Sequence, residues 1–286
     1  MDHLDDDELE AIALLLSSDR LHRFRALAGS TRAAVTLHQQ TLQLGGSLMS
    51  VTAVLEIALR NAVCDRLTLH FQTENWLLKP PSVFAWRDEE RQRIVMAVRA
   101  AQRTQYAKLD ASQKRQLDEV AFRRGVPAGI SHEHRSSARQ KAIGIPAGQV
   151  IAQLTLYFWK RLFSVDYDHS LWKPALKRMF PGKQVTRAAV AANLECIYQT
   201  RNRIAHHEPV YGNRLDDTLD AIDFIAAQLG AARSDGRTPL SKMLEKERSA
   251  LGDQAAALRS RIDALRSSVE TQTGLARSAA LVNESA

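Results

Sequence analysis

The stretch VTAVLEIALRNAVCDRLTLHF, residues 51–71, indicates how this chain folds. Its apolar residues recur at every third or fourth position, which is the spacing of one face of an α-helix. The stripe is wide enough to face the core of a helical bundle. We therefore expect a central helix here. The apolar positions are 51, 54, 55, 58, 59, 62, 63 and 67.

The same helical period recurs along the rest of the chain, whereas alternating apolar and polar runs are scarce. Ser30 or Thr31 can cap a helix that we expect to end at the Gly45–Gly46 pair. Pro209 stops a later helix soon after two histidines. The sequence therefore predicts an all-α protein. Other helices are expected over 5–28, 87–124, from 148 onward, from 186 onward and over about 216–229.

Length and composition exclude several classes of protein. A chain of 286 residues, 45% of them hydrophobic and 25% charged, can bury a sizeable core. No stretch has eighteen consecutive apolar residues and the first ten residues are acidic, so we expect neither a membrane protein nor a secreted one. Cys64 and Cys196 lie far apart without metal-ligand spacing, which favours a reduced, cytoplasmic protein with no disulfide and no bound metal.

The charge balance suggests a partner that carries phosphate. Six of the 32 acidic residues lie in the first ten positions, which hold no Lys or Arg, so residues 11–286 have a net charge of +13. Residues 87–141 alone have a net charge of +6. Basic surfaces bind nucleic acid by releasing condensed counterions, but many basic proteins are merely soluble. Residues 125–149 are predicted to form a long basic loop, which either binds RNA or is simply disordered. The candidate RNA-binding residues are Arg123, Arg124, Arg135 and Arg139.

The last part of the chain has a different pattern. Leu244, Leu251, Leu258 and Leu265 are spaced by seven residues, which is typical of the seam of a coiled coil. Arg248 interrupts the seam, and a single amphipathic helix packed on the body explains the same pattern. We expect two domains, residues 1–232 and a helical tail over residues 233–286.

The densest cluster of reactive side chains lies in TRNRIAHHEPVY, residues 200–211. On a helix, Asn202 and His206 share a face and Arg201 lies on an adjacent edge. An imidazole can take the proton of a ribose 2′-hydroxyl, and a guanidinium can stabilise charge on phosphoryl oxygens. This set of groups suits cleavage of a phosphodiester without a metal ion. Arg203, His207 and Glu208 complete the cluster.

Structural explanations of the same residues also exist. The arginines could form a solvated face, and His206 could interact with the negative end of the helix dipole. His206, His207 and Glu208 could contribute to a metal site, but adjacent helical residues point about 100° apart, which disfavours that interpretation.

The string TRNRIAHHEPVY resembles the Arg-Asn-x-x-x-His signature of HEPN ribonucleases, in the form found in the Abi-like abortive-infection family of bacteria. Residues 55–77 resemble the family's N-terminal Glu-x-x-x-Arg-Asn helix with its following Trp. The segments GQVIAQLTLYFWKRLF and LWKPALKRMFP resemble its middle block. The resemblance covers roughly residues 10–230, and the tail has no counterpart in the family pattern.

The resemblance implies a HEPN-type helical bundle with additional helices, and metal-independent cleavage of RNA by a homodimer without a cofactor. Arg201 and His206 correspond to the family's defining pair and Asn202 to the polar residue after the Arg. Glu56, Arg60 and Asn61 match the N-terminal motif, where they either form an i,i+4 ion pair or line the site. His207 and Glu208 are usual in the subfamily.

Two classes of function are therefore expected. The first is an RNase toxin of phage defence, held inactive by an antitoxin protein or a structured RNA. The second is a catalytically silent HEPN module that binds RNA or a protein partner. An intact Arg201–His206 pair favours the first.

Overall fold

The computed structural model describes the backbone of residues 3–283 and the side chains of residues 3–268 and 271. Over these residues the chain forms α-helices and short 3₁₀ or π turns, with no β-strand, which confirms the all-α prediction. The helices are α1 Asp6–Leu16, α2 Ser18–Ala28, α3 Thr31–Phe71, α4 Asp88–Lys108, α5 Ala111–Ala121, α6 His132–Lys141, α7 Ala147–Ile151, α8 Leu156–Arg161, α9 Arg187–Ala205, α10 Asn213–Gln228, α11 Pro239–Met243 and α12 Glu245–Asn283.

The chain divides into two compact units. The terminal unit comprises the residues up to Ala58 and those from Ala192 onward, and the middle unit runs from Leu59 to Ala191. The boundaries therefore fall within α3 and within α9. The division expected at residue 232 lies inside the terminal unit.

Acidic residues near the N-terminus start the first helix of the terminal unit. Asp5 caps α1 by accepting the Glu8 N–H at 2.8 Å, and the Glu8 carboxylate accepts the Asp5 N–H at 2.9 Å. Glu10 then pairs with Arg25 of α2 at 3.1 Å. The early carboxylates thus start one helix and attach it to the next.

Helix α3 does not end at the glycine pair, which corrects the expected helix end. It continues through Gly45 and Gly46 to Phe71. Gly45 is buried, and a Cβ atom built there would lie 3.3 Å from Ile204 Cγ2 of α9. A side chain at Gly46 would meet nothing within 4 Å. Gly45 therefore allows close packing of two helices, and the pair does not mark a turn.

The tail packs on its own chain. Helix α12 contacts α2, and Leu244, Leu251, Leu258 and Ile262 are all buried. The heptad pattern is thus the buried face of an amphipathic helix through Ile262, and that part of the seam is not free to coil with a second copy. Arg248 interrupts the seam because it forms a bidentate ion pair with Asp223 of α10, with both N–O distances at 2.7 Å.

The middle unit contains α4 to α8, and α6 corrects the predicted loop over residues 125–149. Ser131 caps α6 by accepting the His134 N–H at 3.2 Å. Arg135 and Arg139 of α6 both bind Asp118 of α5. This short polar helix has no apolar stripe. The Ser131 cap and the ion pairs to Asp118 stabilise it instead.

Helix α3 bears on the expectation that no helix of this chain spans a membrane. Among the described residues it is the one helix long and apolar enough to cross a membrane by length and composition alone. No Asp, Glu, Lys or Arg lies between Arg32 and Glu56, although uncharged polar residues interrupt the apolar run. Core helices of soluble proteins have the same character, and Leu44, Leu48 and Val51 of α3 are each 1% exposed.

Candidate active site

Helix α9 presents the Arg-Asn-x-x-x-His motif at its C-terminal end. Leu194 and Ile197 bury one face of the helix in the terminal unit. On the turn before the motif, the hydroxyls of Thr200 and Thr218 share a buried hydrogen bond of 2.7 Å that joins α9 to α10. The motif therefore follows directly after a well-packed segment, which fixes where its backbone lies.

The two histidines lie just after the helix and not within it. The His206 N–H still donates to the Asn202 carbonyl at 3.1 Å, but the His207 N–H donates to Ile204 at 2.9 Å and the Glu208 N–H to Arg203 at 2.8 Å. This pair of bonds is a Schellman motif, in which the residue after the cap is left-handed. His207 has a φ of 57°, so it occupies a position that glycine usually takes.

The structure separates the predicted site residues into free and paired groups. In the part of the chain with described side chains, Arg201, Asn202 and His206 make no side-chain hydrogen bond or ion pair, and His206 is exposed. Arg203, in contrast, forms an ion pair with Glu208 at 2.9 Å. The Arg201 guanidinium and the His206 imidazole, which the motif assigns to chemistry, thus have no structural partner among the described residues.

An open groove of about 490 Å³ lies beside the motif in the terminal unit. Arg203, His207 and Glu208 line it together with Arg20 and Arg23 of α2. Arg20 donates to the His207 carbonyl at 2.9 Å, and this bond holds the turn after α9 against α2. The sequence prediction missed Arg20 and Arg23, since their nearness to the motif depends on a tertiary contact that no local pattern encodes.

A metal site at the histidines receives no support from the geometry. Over the described residues, no group of three or more His, Cys, Asp and Glu side chains could hold an ion. Glu208, the carboxylate of that candidate set, pairs with Arg203.

The residues of the N-terminal motif lie on one stretch of α3. Arg60 Nε donates to Asn61 Oδ1 at 3.4 Å, Glu56 and Arg60 are half-buried, and Asn61 is exposed. Glu56 belongs to the terminal unit, whereas Arg60 and Asn61 belong to the middle unit. Their role at the Arg201 site stays a prediction.

The four predicted RNA-binding arginines lie in the middle unit and differ in availability. Arg123 and Arg124 are exposed and have no partner among the described side chains. Arg139 forms two bonds of 2.7 Å to the Asp118 carboxylate, and Arg135 binds the same group. These bonds hold the pKa of Asp118 well below its usual range, with the bond from Arg139 the larger cause. Arg135 and Arg139 therefore have a structural task, whatever else they bind.

Comparisons of the chain with protein-family models, with curated proteins and with solved structures found no match.

Proposed function

We propose that the protein is a metal-independent endoribonuclease of the HEPN type. The observation that carries the proposal is the pair Arg201 and His206, which has the family's spacing and stands unpaired at the accessible end of α9. A hydrogen bond or ion pair to a neighbouring side chain would indicate a structural role for Arg201 and His206. Neither has one among the described residues.

The reaction is an intramolecular transesterification that cleaves the phosphodiester backbone of the RNA. His206 accepts the proton of the ribose 2′-hydroxyl, whose oxygen attacks the adjacent phosphorus. Arg201 stabilises the negative charge that develops on the phosphoryl oxygens. The bond from phosphorus to the 5′-oxygen breaks and that oxygen takes up a proton, so the products are a 2′,3′-cyclic phosphate and a 5′-hydroxyl. Asn202 orients the reacting groups.

A homodimer supplies the second set of groups that such a reaction needs. A single chain offers one imidazole at position 206, and the reaction uses both a proton acceptor and a proton donor. Two copies of the motif facing each other at a two-fold axis would provide both. The buried seam of α12 is not the surface that joins them.

The biological role that follows from the resemblance is abortive infection. In this role the enzyme is a toxin of phage defence and is kept silent by an antitoxin protein or by a structured RNA. The alternative is a catalytically silent module that binds RNA or a protein. Such a module would bind phosphate in the groove lined by Arg20, Arg23 and Arg203, which Asp19 and Glu208 also line.

The products of RNA cleavage test the proposal. Purified protein is incubated with total RNA in EDTA, and the new ends are mapped in parallel with His206→Ala protein purified in the same way. We expect 2′,3′-cyclic phosphate or 3′-phosphate ends opposite 5′-hydroxyl ends in the wild-type sample alone. Cleavage that stops in EDTA and returns with Mg²⁺ would overturn the mechanism, and identical ends in both samples would indicate a contaminating nuclease.

A further inference from the structure

The middle unit contains an apolar cavity of about 670 Å³ between the segment that follows α3 and one face of α4. Its walls include Leu77, Phe84, Trp86, Ile94, Val95 and Val98. The volume lies in the range of small-molecule sites, which are mostly apolar with a few well-placed polar groups.

Hydrogen bonds and a ring contact position the aromatic part of the cavity wall. The Trp86 indole N–H donates to the Leu77 carbonyl at 3.0 Å, and the Phe84 ring meets the Trp86 ring edge to face at 4.8 Å. Arg91 donates to the Trp86 carbonyl at 3.1 Å. A cavity whose aromatic wall is hydrogen-bonded in place loses little entropy when it receives a ligand.

Positive charge gathers at one end of the cavity. Arg99 and Lys141 line both this cavity and an adjoining polar space of about 260 Å³, which Arg103 also lines. Gln102 places Lys141 there, because its amide donates to the Ile143 carbonyl at 3.1 Å and so holds the end of α6 on α4. Arg99, Arg103 and Lys141 have no side-chain partner among the described residues, and no described Asp or Glu lines either space.

We propose that this cavity binds an amphipathic anion, with its hydrocarbon body against Trp86 and Ile94 and its carboxylate or phosphate at Arg99 and Lys141. The apolar part of the wall favours a hydrocarbon over a nucleobase, because Trp86, Ile94 and their apolar neighbours offer no partner to the hydrogen-bonding edges of a base. The unpaired cations favour an acidic head group over a neutral one. The inference does not depend on the ribonuclease proposal.

Calorimetry with the full chain tests this site, with decanoate, decyl phosphate, decanol and AMP as the probes. We expect one of the two anionic decyl compounds to bind, and the preferred one identifies the head group. Arg99→Gln with Lys141→Gln should weaken binding of that anion about 100-fold, since each of the two lost charged hydrogen bonds accounts for roughly a factor of ten. Decanol should bind weakly and equally to both proteins.

Two further variants complete the test. Arg178→Gln with Lys183→Gln removes the same charge from exposed, unpartnered positions outside the lining and should leave binding unchanged. Val98→Phe should reduce binding by filling the cavity, and circular dichroism checks that it is folded. The proposal fails if neither anion binds, if the Arg99/Lys141 variant binds as well as the wild type, if the control pair weakens binding equally, or if AMP binds in place of the decyl compounds.

Discussion

At the scale of single residues, the turn after α9 has an unusual occupant. His207 adopts the left-handed conformation of a Schellman motif with a φ of 57°, although it carries a Cβ atom. Such a conformation costs an L-residue about 1–2 kcal/mol, a cost that glycine avoids. Backbone strain of this kind is concentrated at functional sites, and His207 directly follows the proposed catalytic His206.

Substitution of His207 measures how much the left-handed backbone at this position costs in stability. His207→Gly should be more stable than His207→Ala by about 1 kcal/mol, because only glycine relieves the left-handed backbone. Urea unfolding of both variants measures the difference. If the alanine variant were as stable as the glycine variant, position 207 would not be left-handed in solution.

At the scale of helices, the close contact between α3 and α9 depends on Gly45. Gly46→Ala should stabilise the protein by roughly 0.5–1 kcal/mol, as is usual in an exposed helix interior. Gly45→Ala should gain less or lose stability, because its Cβ atom would press on Ile204 within the motif. Thermal unfolding compares the two variants. Equal gains would show that α3 and α9 are not in close contact at Gly45.

The tail helix is expected to stabilise the terminal unit. Leu251 is 0% exposed, so Leu251→Ala should cost about 2–5 kcal/mol through lost burial and the cavity left behind. Leu14→Ala is the matched control, because Leu14 is 82% exposed and its truncation should change stability by less than about 0.5 kcal/mol. Urea denaturation provides both values. If Leu251→Ala instead dissociated a dimer without lowering the stability of the monomer, the seam would be an intermolecular coiled coil.

Local pattern predicted the helices, and tertiary contacts account for what it missed. The stripe from residue 51 to 67 has a 3.6-residue period, so it identified the central helix without knowledge of its neighbours. The glycine pair within α3 does not end the helix as the local pattern predicts. Gly45 is required instead for close packing against Ile204, which is far away in the sequence. Helix α6 was missed because Asp118 stabilises it from another helix. At the site, the motif supplied Arg201 and His206, but no sequence signal linked Arg20 or Arg23 to them.

At the scale of the whole molecule, the basic charge of residues 11–286 is expected to bind RNA in a salt-dependent manner. Arg123→Gln with Arg124→Gln should lower the affinity and reduce the slope of log K against log salt by about 0.7 for each lost phosphate contact on single strands. Arg178→Gln with Lys183→Gln removes equal charge elsewhere and should leave the slope unchanged. Filter binding over a range of salt concentrations measures both. Equal slopes in the two variants would place the RNA away from Arg123 and Arg124.

The central claim is that Arg201 and His206 cleave RNA, and the initial rate of cleavage by single-residue variants in EDTA tests it most directly. His206→Ala and Arg201→Ala should each lower the rate by roughly 10²- to 10⁴-fold while RNA binding and stability change little, because both groups act chiefly in the transition state. His207→Ala, the neighbouring control, should lose less. Full activity in His206→Ala would contradict the account and leave the silent binding module as the better explanation.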